Sequence, residues 1–220
     1  MTYRAIILSL TVMAVAATGC VTASSKSVRV EKYLALAAQK QRAGDHEGAL
    51  GEVNRALALE PNSGLALVRR GQLKTLLNDT EGALADFDRA IELNPNNAGA
   101  YLGRGLARRQ MKDTAGALAD LDRAISLSPE VPQVYVARGM TLAMSGEVRR
   151  SIEDFTRAVS MDSNYQEARL RRAYAYMALK ENDRAIADAM YVREHTKDPV
   201  LLQSADELLR ELTVKPKAGH

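Results

Sequence analysis

The sequence predicts an all-α chain, a solenoid of helix-turn-helix repeats closed by a C-terminal capping helix, and two observations predict it. One period recurs in three registers: Pro61, Pro95 and Pro129 lie 34 residues apart, as do Gly71, Gly105 and Gly139, and Ala56, Ala90, Ala124 and Ala158. Such self-similarity marks a repeated supersecondary unit. Composition is the second: 35 Ala among 220 residues, with no Trp and two Phe, favours helices packed through small side chains over a sandwich or barrel. Charge and cysteine content exclude several classes. The 30 Lys and Arg nearly cancel 27 Asp and Glu, whereas a polyanion-binding domain needs a clustered excess interleaved with stacking aromatics. Nucleic acid is not an expected partner. The single Cys excludes an internal disulfide and a thiolate zinc site.

Residues 1–19 have the layout of a signal peptide: Arg4 precedes a charge-free apolar stretch from Ala5 to Ala17, and small residues follow. Ala17-Thr18-Gly19-Cys20 resembles a bacterial lipobox, with Ala17 where Leu is usual. That resemblance implies cleavage before Cys20, a diacylglyceryl group on its thiol and an acyl chain such as palmitate on the new amine. Val21, in place of Asp, implies by the same resemblance an outer-membrane anchor facing the periplasm; inner-membrane anchoring or a soluble periplasmic form is the alternative. Two other readings stay open: an ordinary signal cleaved near Ala23, or an uncleaved anchor. No charge appears until Lys26, and the run approaches the roughly 20 residues that span a bilayer. Residues 20–29 then serve as a tether.

Aligning the three registers divides residues 30–199 into five units: 30–63, 64–97, 98–131, 132–165 and 166–199. Each splits into two helical patterns around a polar turn. In the third, Tyr101, Leu102, Gly105 and Leu106 share helical spacing before Lys112-Asp113-Thr114 interrupt it. Leu118, Leu121, Ala124 and Ile125 then resume the pattern, and Pro129 ends it. An acid recurs in the turns as Asp45, Asp79, Asp113, Glu147 and Glu181, where it suits the positive end of the second helix. Asp198-Pro199 starts a last helix, over 200–213, whose apolar face holds Leu201, Leu202, Ala205, Leu208, Leu209 and Leu212. A solenoid needs its open end covered, and the polar face is not cationic, so a cap is favoured over a membrane-surface helix. The tail 214–220 is expected to be disordered.

These units resemble tetratricopeptide repeats. Tyr101, Gly105, Ala117, Leu121, Ala124 and Pro129 follow that family's pattern, as do Leu67, Gly71, Ala83, Phe87, Ala90 and Pro95. The fourth unit departs at Ser151 and Ser163, and the fifth at Arg169 and Ala173. The resemblance implies a right-handed solenoid that binds other proteins. It also implies a concave groove lined by first helices, with Leu102, Leu106, Arg109, Met140, Met144, Leu170, Arg171, Tyr174 and Met177 on its floor. The family's carboxylate clamp is absent, since Leu or Val holds the fifth place and Ala38, Gln72, Leu106, Met140 and Tyr174 the ninth. An apolar floor with a few Arg suits an amphipathic helix or extended segment bearing acidic residues. The competing reading of the Leu/Val row is core between adjacent first helices. A convex site through Arg55, Arg89, Arg123 and Arg157 is the rival surface.

A charge pattern runs beside the family's. Arg70, Arg104, Arg138 and Arg172 share one place on the first helix, and Asp86, Asp120, Asp154 and Asp188 one place on the second. The first unit has Leu36 and Glu52 there. Matched carboxylates favour ion pairs within each hairpin over an arginine ladder for an acidic ligand. No catalytic set, metal site or cofactor motif is expected: His46, His195 and His220 are scattered, and no phosphate loop is present. The functional expectation is a non-enzymatic, membrane-tethered interaction scaffold of the bacterial envelope. It resembles lipoproteins that help assemble pilus or secretion machinery, and also adaptors that recruit envelope proteases or cell-wall hydrolases. Its oligomeric state is left open.

Overall fold

The computed structural model describes residues 25–213, so Cys20 with its motif and the tail from residue 214 lie outside the described residues. Two compact units divide the chain between Pro95 and Asn96. The first holds two hairpins: α1 (25–42) with α2 (His46–Leu59), and α3 (Gly64–Leu76) with α4 (Thr80–Leu93). The second holds three hairpins and a single helix. Its members are α5 (Ala98–Gln110), α6 (Thr114–Leu127), α7 (Pro132–Met144), α8 (Val148–Met161), α9 (Gln166–Ala178), α10 (Asn182–His195) and α11 (Pro199–Thr213). No strand occurs among the described residues. Residues 25–29, assigned to the tether by sequence, are the first turns of α1, which Val30, Leu34 and Ala37 fasten to the core.

Each hairpin turns in the same way. The first helix ends in a left-handed residue: Gly44, Asn78, Lys112, Gly146 or Lys180, with φ between 60° and 86°. The next amide then reaches back to a carbonyl five residues earlier, as Asp79 N–H does to Lys74 at 2.8 Å and Asp113 N–H to Arg108 at 2.9 Å. This double-back closure satisfies carbonyls that the helix end leaves orphaned. The acid that follows opens the second helix. Asp45, Asp79 and Asp113 accept from the amides of Gly48, Gly82 and Gly116 at 2.8–3.0 Å. Glu147 and Glu181 make no such bond and pair instead with Arg150 and Arg184 one turn on.

Inside the hairpins, size is matched across the seam. A Cβ on Gly71 would stand 2.8 Å from the Phe87 ring, on Gly139 2.7 Å from Phe155, and on Gly105 3.0 Å from Leu121 and 3.2 Å from the Ala117 carbonyl. Where the glycine is replaced, its neighbour shrinks: Ala173 meets Ala189 in the core shared by α9, α10 and α11. Such reciprocity is what close packing demands, because one methyl too many forces a backbone shift. Two departures from the repeat pattern are also compensated. Ser151 is fully buried, and its hydroxyl donates to the Val148 carbonyl at 2.7 Å. Arg169 stands where Tyr135 stands one repeat earlier. Tyr135 donates to the Pro129 carbonyl at 3.0 Å, and Arg169 donates twice to the Ser163 carbonyl at 3.1 Å while its guanidinium lies 3.9 Å from the Tyr191 ring centre.

In the second unit the first helices α5, α7, α9 and α11 touch in series, each also packing on a second helix. Thus α11 sits on α9 and α10 as α9 sits on α7 and α8. Ala205, Leu208 and Leu209 close the core there, and Asp198 accepts from the Val200 amide at 2.8 Å to start the helix.

Candidate functional site

Sixteen residues separate each Arg from its Asp, an offset that sets them face to face across an antiparallel hairpin. Asp120 accepts from Arg104 Nε at 2.9 Å and from a terminal nitrogen at 2.6 Å. The same two-point grip joins Arg70 to Asp86, Arg138 to Asp154 and Arg172 to Asp188, at 2.5–2.9 Å. All four carboxylates are buried. Donating to Asp154 raises the Arg138 pKa further above its already high range, and donating to Asp188 does the same for Arg172.

Two features of this row were not read from the sequence. The other terminal nitrogen of the guanidinium bonds the second helix of the preceding hairpin: Arg70 to Asn54 at 3.3 Å, Arg138 to Asp122 at 2.7 Å and Arg172 to Thr156 at 3.1 Å. One side chain therefore pins its own hairpin and fastens it to its neighbour. A second cation also arrives one turn further along the first helix. Lys74 reaches Asp86 at 2.8 Å, and Arg108 reaches Asp120 at 2.9 Å. Lys40 fills that place in the first hairpin and bonds Glu52 at 2.7 Å, so the pair there is moved by one turn rather than lost. The 34-residue recurrence of Lys40, Lys74 and Arg108 was the available signal.

Of the predicted groove residues, all but Arg109 separate into three groups. Met140, Met144, Arg171 and Tyr174 line one open cleft of about 280 Å³, together with Val148, Phe155 and three alanines of α7 and α9. Leu102 and Leu106 pack against the Leu121, Ala124, Val134 and Ala137 cluster, as core between adjacent helices. Leu170 is buried in the α9–α11 core and Met177 packs on it. Both were assigned to the groove floor. The correction has a physical cause: α11 lies across that part of α9, and its Leu208 and Leu209 need an apolar seat. Tyr174 serves both places, lining the cleft while its hydroxyl donates to the Ser204 carbonyl of α11 at 3.3 Å. Burial, with Glu207 close by, raises its pKa.

Arg109 of α5 differs from the arginines of the ion-pair row. It forms no ion pair among the described residues, and one terminal nitrogen reaches only the Ala137 carbonyl of α7, at 3.5 Å. Burial lowers its pKa and the charge of Arg171 lowers it further, while the Glu167 carboxylate acts the other way. Arg171 itself is 44% exposed and holds Glu167 at 3.4 Å, a weak pair one turn apart.

The rival convex surface is largely occupied by its own contacts. Arg55 bonds Glu52, Arg89 bonds Glu92 and Asn62, and Arg123 bonds Asn96. His195 stacks on Tyr191 with ring centres 4.1 Å apart, and His46 sits at the first turn of α2. His220 lies outside the described residues. No group of three metal-ligating side chains occurs among the described residues.

Family profiles of the repeat match three stretches: "TPR repeat" over 64–112, and "Tetratricopeptide repeat" over 98–131 and 136–199. No curated protein matches the chain. Among solved structures, a thermophilic TPR protein of Thermus thermophilus is similar, with TM-score 0.74 and 22% identity, covering 82% of this chain and 98% of that one. PilF of Pseudomonas aeruginosa has TM-score 0.68 and 17% identity, covering 86% and 94%. YrrB, a TPR protein with an unusual peptide-binding site, has TM-score 0.59 and 18% identity, covering 86% and 97%. At these identities the likeness is one of fold.

Proposed function

This chain is built of tetratricopeptide repeats, and we propose that it is a non-enzymatic scaffold of the bacterial envelope that holds a segment of a partner protein against α7 and α9. The observation that carries the reading is the open cleft between Met140, Met144 and Tyr174. Two thioethers and an aromatic ring present an apolar, adaptable wall, and Arg171 stands at its edge. Met144 is 66% exposed, far more than a core methionine, and a flexible thioether accommodates varied partner side chains. A cleft of this size takes one or two apolar side chains of an amphipathic helix or extended segment, and such anchors concentrate binding energy. Repeats of this family mediate protein–protein interaction, and YrrB shows that a chain of this fold can carry a peptide-binding site.

The envelope location is proposed on Ala17-Thr18-Gly19-Cys20 and the apolar stretch before it. A lipid on Cys20 would hold the repeats near the outer membrane, since residues 21–24 reach at most about 15 Å before α1 begins. A scaffold at that distance suits the assembly of pilus or secretion machinery, as in the lipoproteins that the sequence resembles. Two measurements test the reading. Mass spectrometry of the mature amino terminus should find acylated Cys20; a chain starting after Cys20, or an intact residue 1, contradicts the anchor. Copurification from crosslinked envelopes should lose its partner at least about tenfold with Met144→Asp. Arg123→Ala should retain it. The reverse pattern would contradict the cleft.

A further inference from the structure

The first hairpin has no hairpin before it among the described residues, and α1 departs from the other first helices on the face it would turn toward one. In α3, α7 and α9 a small apolar side chain holds one buried place near the helix start, as Ala66, Val134 and Ala168. Val134 packs there with Leu121 and Ala124 of α6, and Ala168 with Phe155 and Ala158 of α8. The residue 34 places before Ala66 is Lys32, and it is exposed. One turn on, Leu36 stands where Arg70, Arg138 and Arg172 reach back to a preceding hairpin. α1 also begins early, at residue 25, whereas the place matching Gly64 is residue 30. The added residues include Lys26, Val28 and Arg29, all exposed, Val28 at 61%. Lys26, Arg29 and Lys32 form no ion pair among the described residues, and Glu31 is the one acid between 25 and 32. Solubility alone sets no sign of charge: the exposed face of α11, the last helix, carries Glu207, Arg210 and Glu211. On α1 one sign prevails, with an uncovered valine among the cations.

We propose that the outward face of α1, through Lys26, Val28, Arg29 and Lys32, rests on the anionic phospholipid surface of the membrane that holds Cys20. This contact rests on the anchor proposed for Cys20 and adds an orientation to it. Charge complementarity and chain length select the occupant. Phosphate headgroups give a bilayer a negative surface potential, and each Lys or Arg close to it strengthens attachment by about fivefold. The attraction fades within a Debye length, about 8 Å at physiological salt, so the cations must be held close. Residues 21–24 span at most about 15 Å, and Lys26 is the second residue of α1. Cationic stems lie along the interface with their heads at phosphate, and Val28 enters between headgroups. A second copy of the chain fits this face poorly, because a two-fold contact would set Arg29 and Lys32 against their own counterparts. A further repeat fits no better, since Lys32 occupies the seat that takes Ala or Val elsewhere. A lipid alone leaves the repeats free to swing about Cys20; the second point of attachment fixes how the first hairpin faces the bilayer.

The test reconstitutes the acylated mature chain in vesicles of phosphatidylethanolamine with about 30% phosphatidylglycerol, and in vesicles of phosphatidylcholine alone. Bimane is attached at Val28→Cys or, as control, at Gly51→Cys of α2, where a new Cβ meets nothing within 4 Å; the thioether at Cys20 takes no label. A nitroxide on the lipid headgroup is the quencher. In the anionic vesicles, quenching at position 28 should exceed that at position 51 by at least about fivefold. It should fall to the control level in phosphatidylcholine or in about 0.5 M salt. K26Q/R29Q/K32Q, whose exposed sites leave the fold intact, should lower it at least about threefold. Equal quenching at 28 and 51, or quenching at 28 that persists in phosphatidylcholine or in K26Q/R29Q/K32Q, overturns the contact while leaving the anchor standing. Bimane emission that follows protein concentration rather than lipid composition would assign the face to a second copy and overturns it likewise. A purified chain whose mass lacks the acyl groups on Cys20 overturns the anchor itself, and the contact with it.

Discussion

Replacing Asp120 by Asn tests the ion-pair row where it is most heavily committed. The Asp120 carboxylate is 3% exposed and receives three hydrogen bonds, two from Arg104 and one from Arg108, at 2.6–2.9 Å. An amide of the same shape keeps one acceptor and turns an NH₂ toward a guanidinium, so at least one charged donor is stranded. Breaking a fully buried pair costs about 3–5 kcal/mol, and leaving a lesser polar group unsatisfied about 1–3. Arg104 and Arg108 keep 17% and 30% of their side-chain surface in water, which moderates the penalty. The expected loss is about 2–4 kcal/mol, read as a lowered urea midpoint with an unchanged slope. The cycle Asp120→Asn, Arg104→Gln and the double variant should show coupling of about 1–3 kcal/mol. Coupling indistinguishable from zero would refute the pairing as a source of stability. It would also return Arg70, Arg104 and Arg138 to the surface available for ligands.

Three smaller tests address the backbone and the packing. Gly139→Ala should destabilise by about 1–3 kcal/mol despite the better helix propensity of Ala, because its Cβ strikes Phe155. Gly51→Ala, in α2 with nothing within 4 Å, should stabilise by about 0.5–1 kcal/mol, and equal effects in thermal melts would contradict the seam argument. Lys112→Gly should stabilise by roughly 0.5–1 kcal/mol, since Lys112 holds φ 64° at the turn; a loss in the melting temperature would contradict it. Glu52 has its pKa lowered, first by the Lys40 hydrogen bond. Its contribution is present above the ordinary glutamate range and disappears as the pH falls through the lowered value. Chemical denaturation from pH 7 to pH 3 should therefore show a steeper loss for the wild type than for Glu52→Gln; parallel curves would refute it.

Repetition made much of the fold legible. A period of 34 residues fixes where hairpins recur, and Pro61, Pro95 and Pro129 fix where second helices stop. The partnership of Arg and Asp was also legible, because Leu36 and Glu52 replace them together. The left-handed turn position was hidden because Gly, Asn and Lys share it. Backbone closure, not residue type, imposes that conformation. The bond from Arg70, Arg138 and Arg172 to the preceding hairpin was hidden because its acceptors differ, as Asn54, Asp122 and Thr156. Within the candidate site, the resemblance to the repeat family placed Met140, Met144, Arg171 and Tyr174 on the groove floor, and they line one cleft. It did not show that α11 would cover Leu170 and Met177, since a cap's footprint depends on tertiary docking. Nor did it separate Arg109 from Arg108: adjacent in sequence, one is held by Asp120 and the other reaches the Ala137 carbonyl of α7 and forms no ion pair among the described residues.

The central claim, that a partner segment lies in the cleft of α7 and α9, is tested most directly by photocrosslinking in living cells. A benzophenone amino acid is placed in turn at Met144 in the cleft and at Arg123 on α6 of the opposite layer. The account predicts a discrete partner adduct from position 144, reduced at least about tenfold when Met140 is changed to Asp in the same chain, and none from position 123. An adduct from position 123 alone, or one from position 144 that Met140→Asp leaves undiminished, would contradict it.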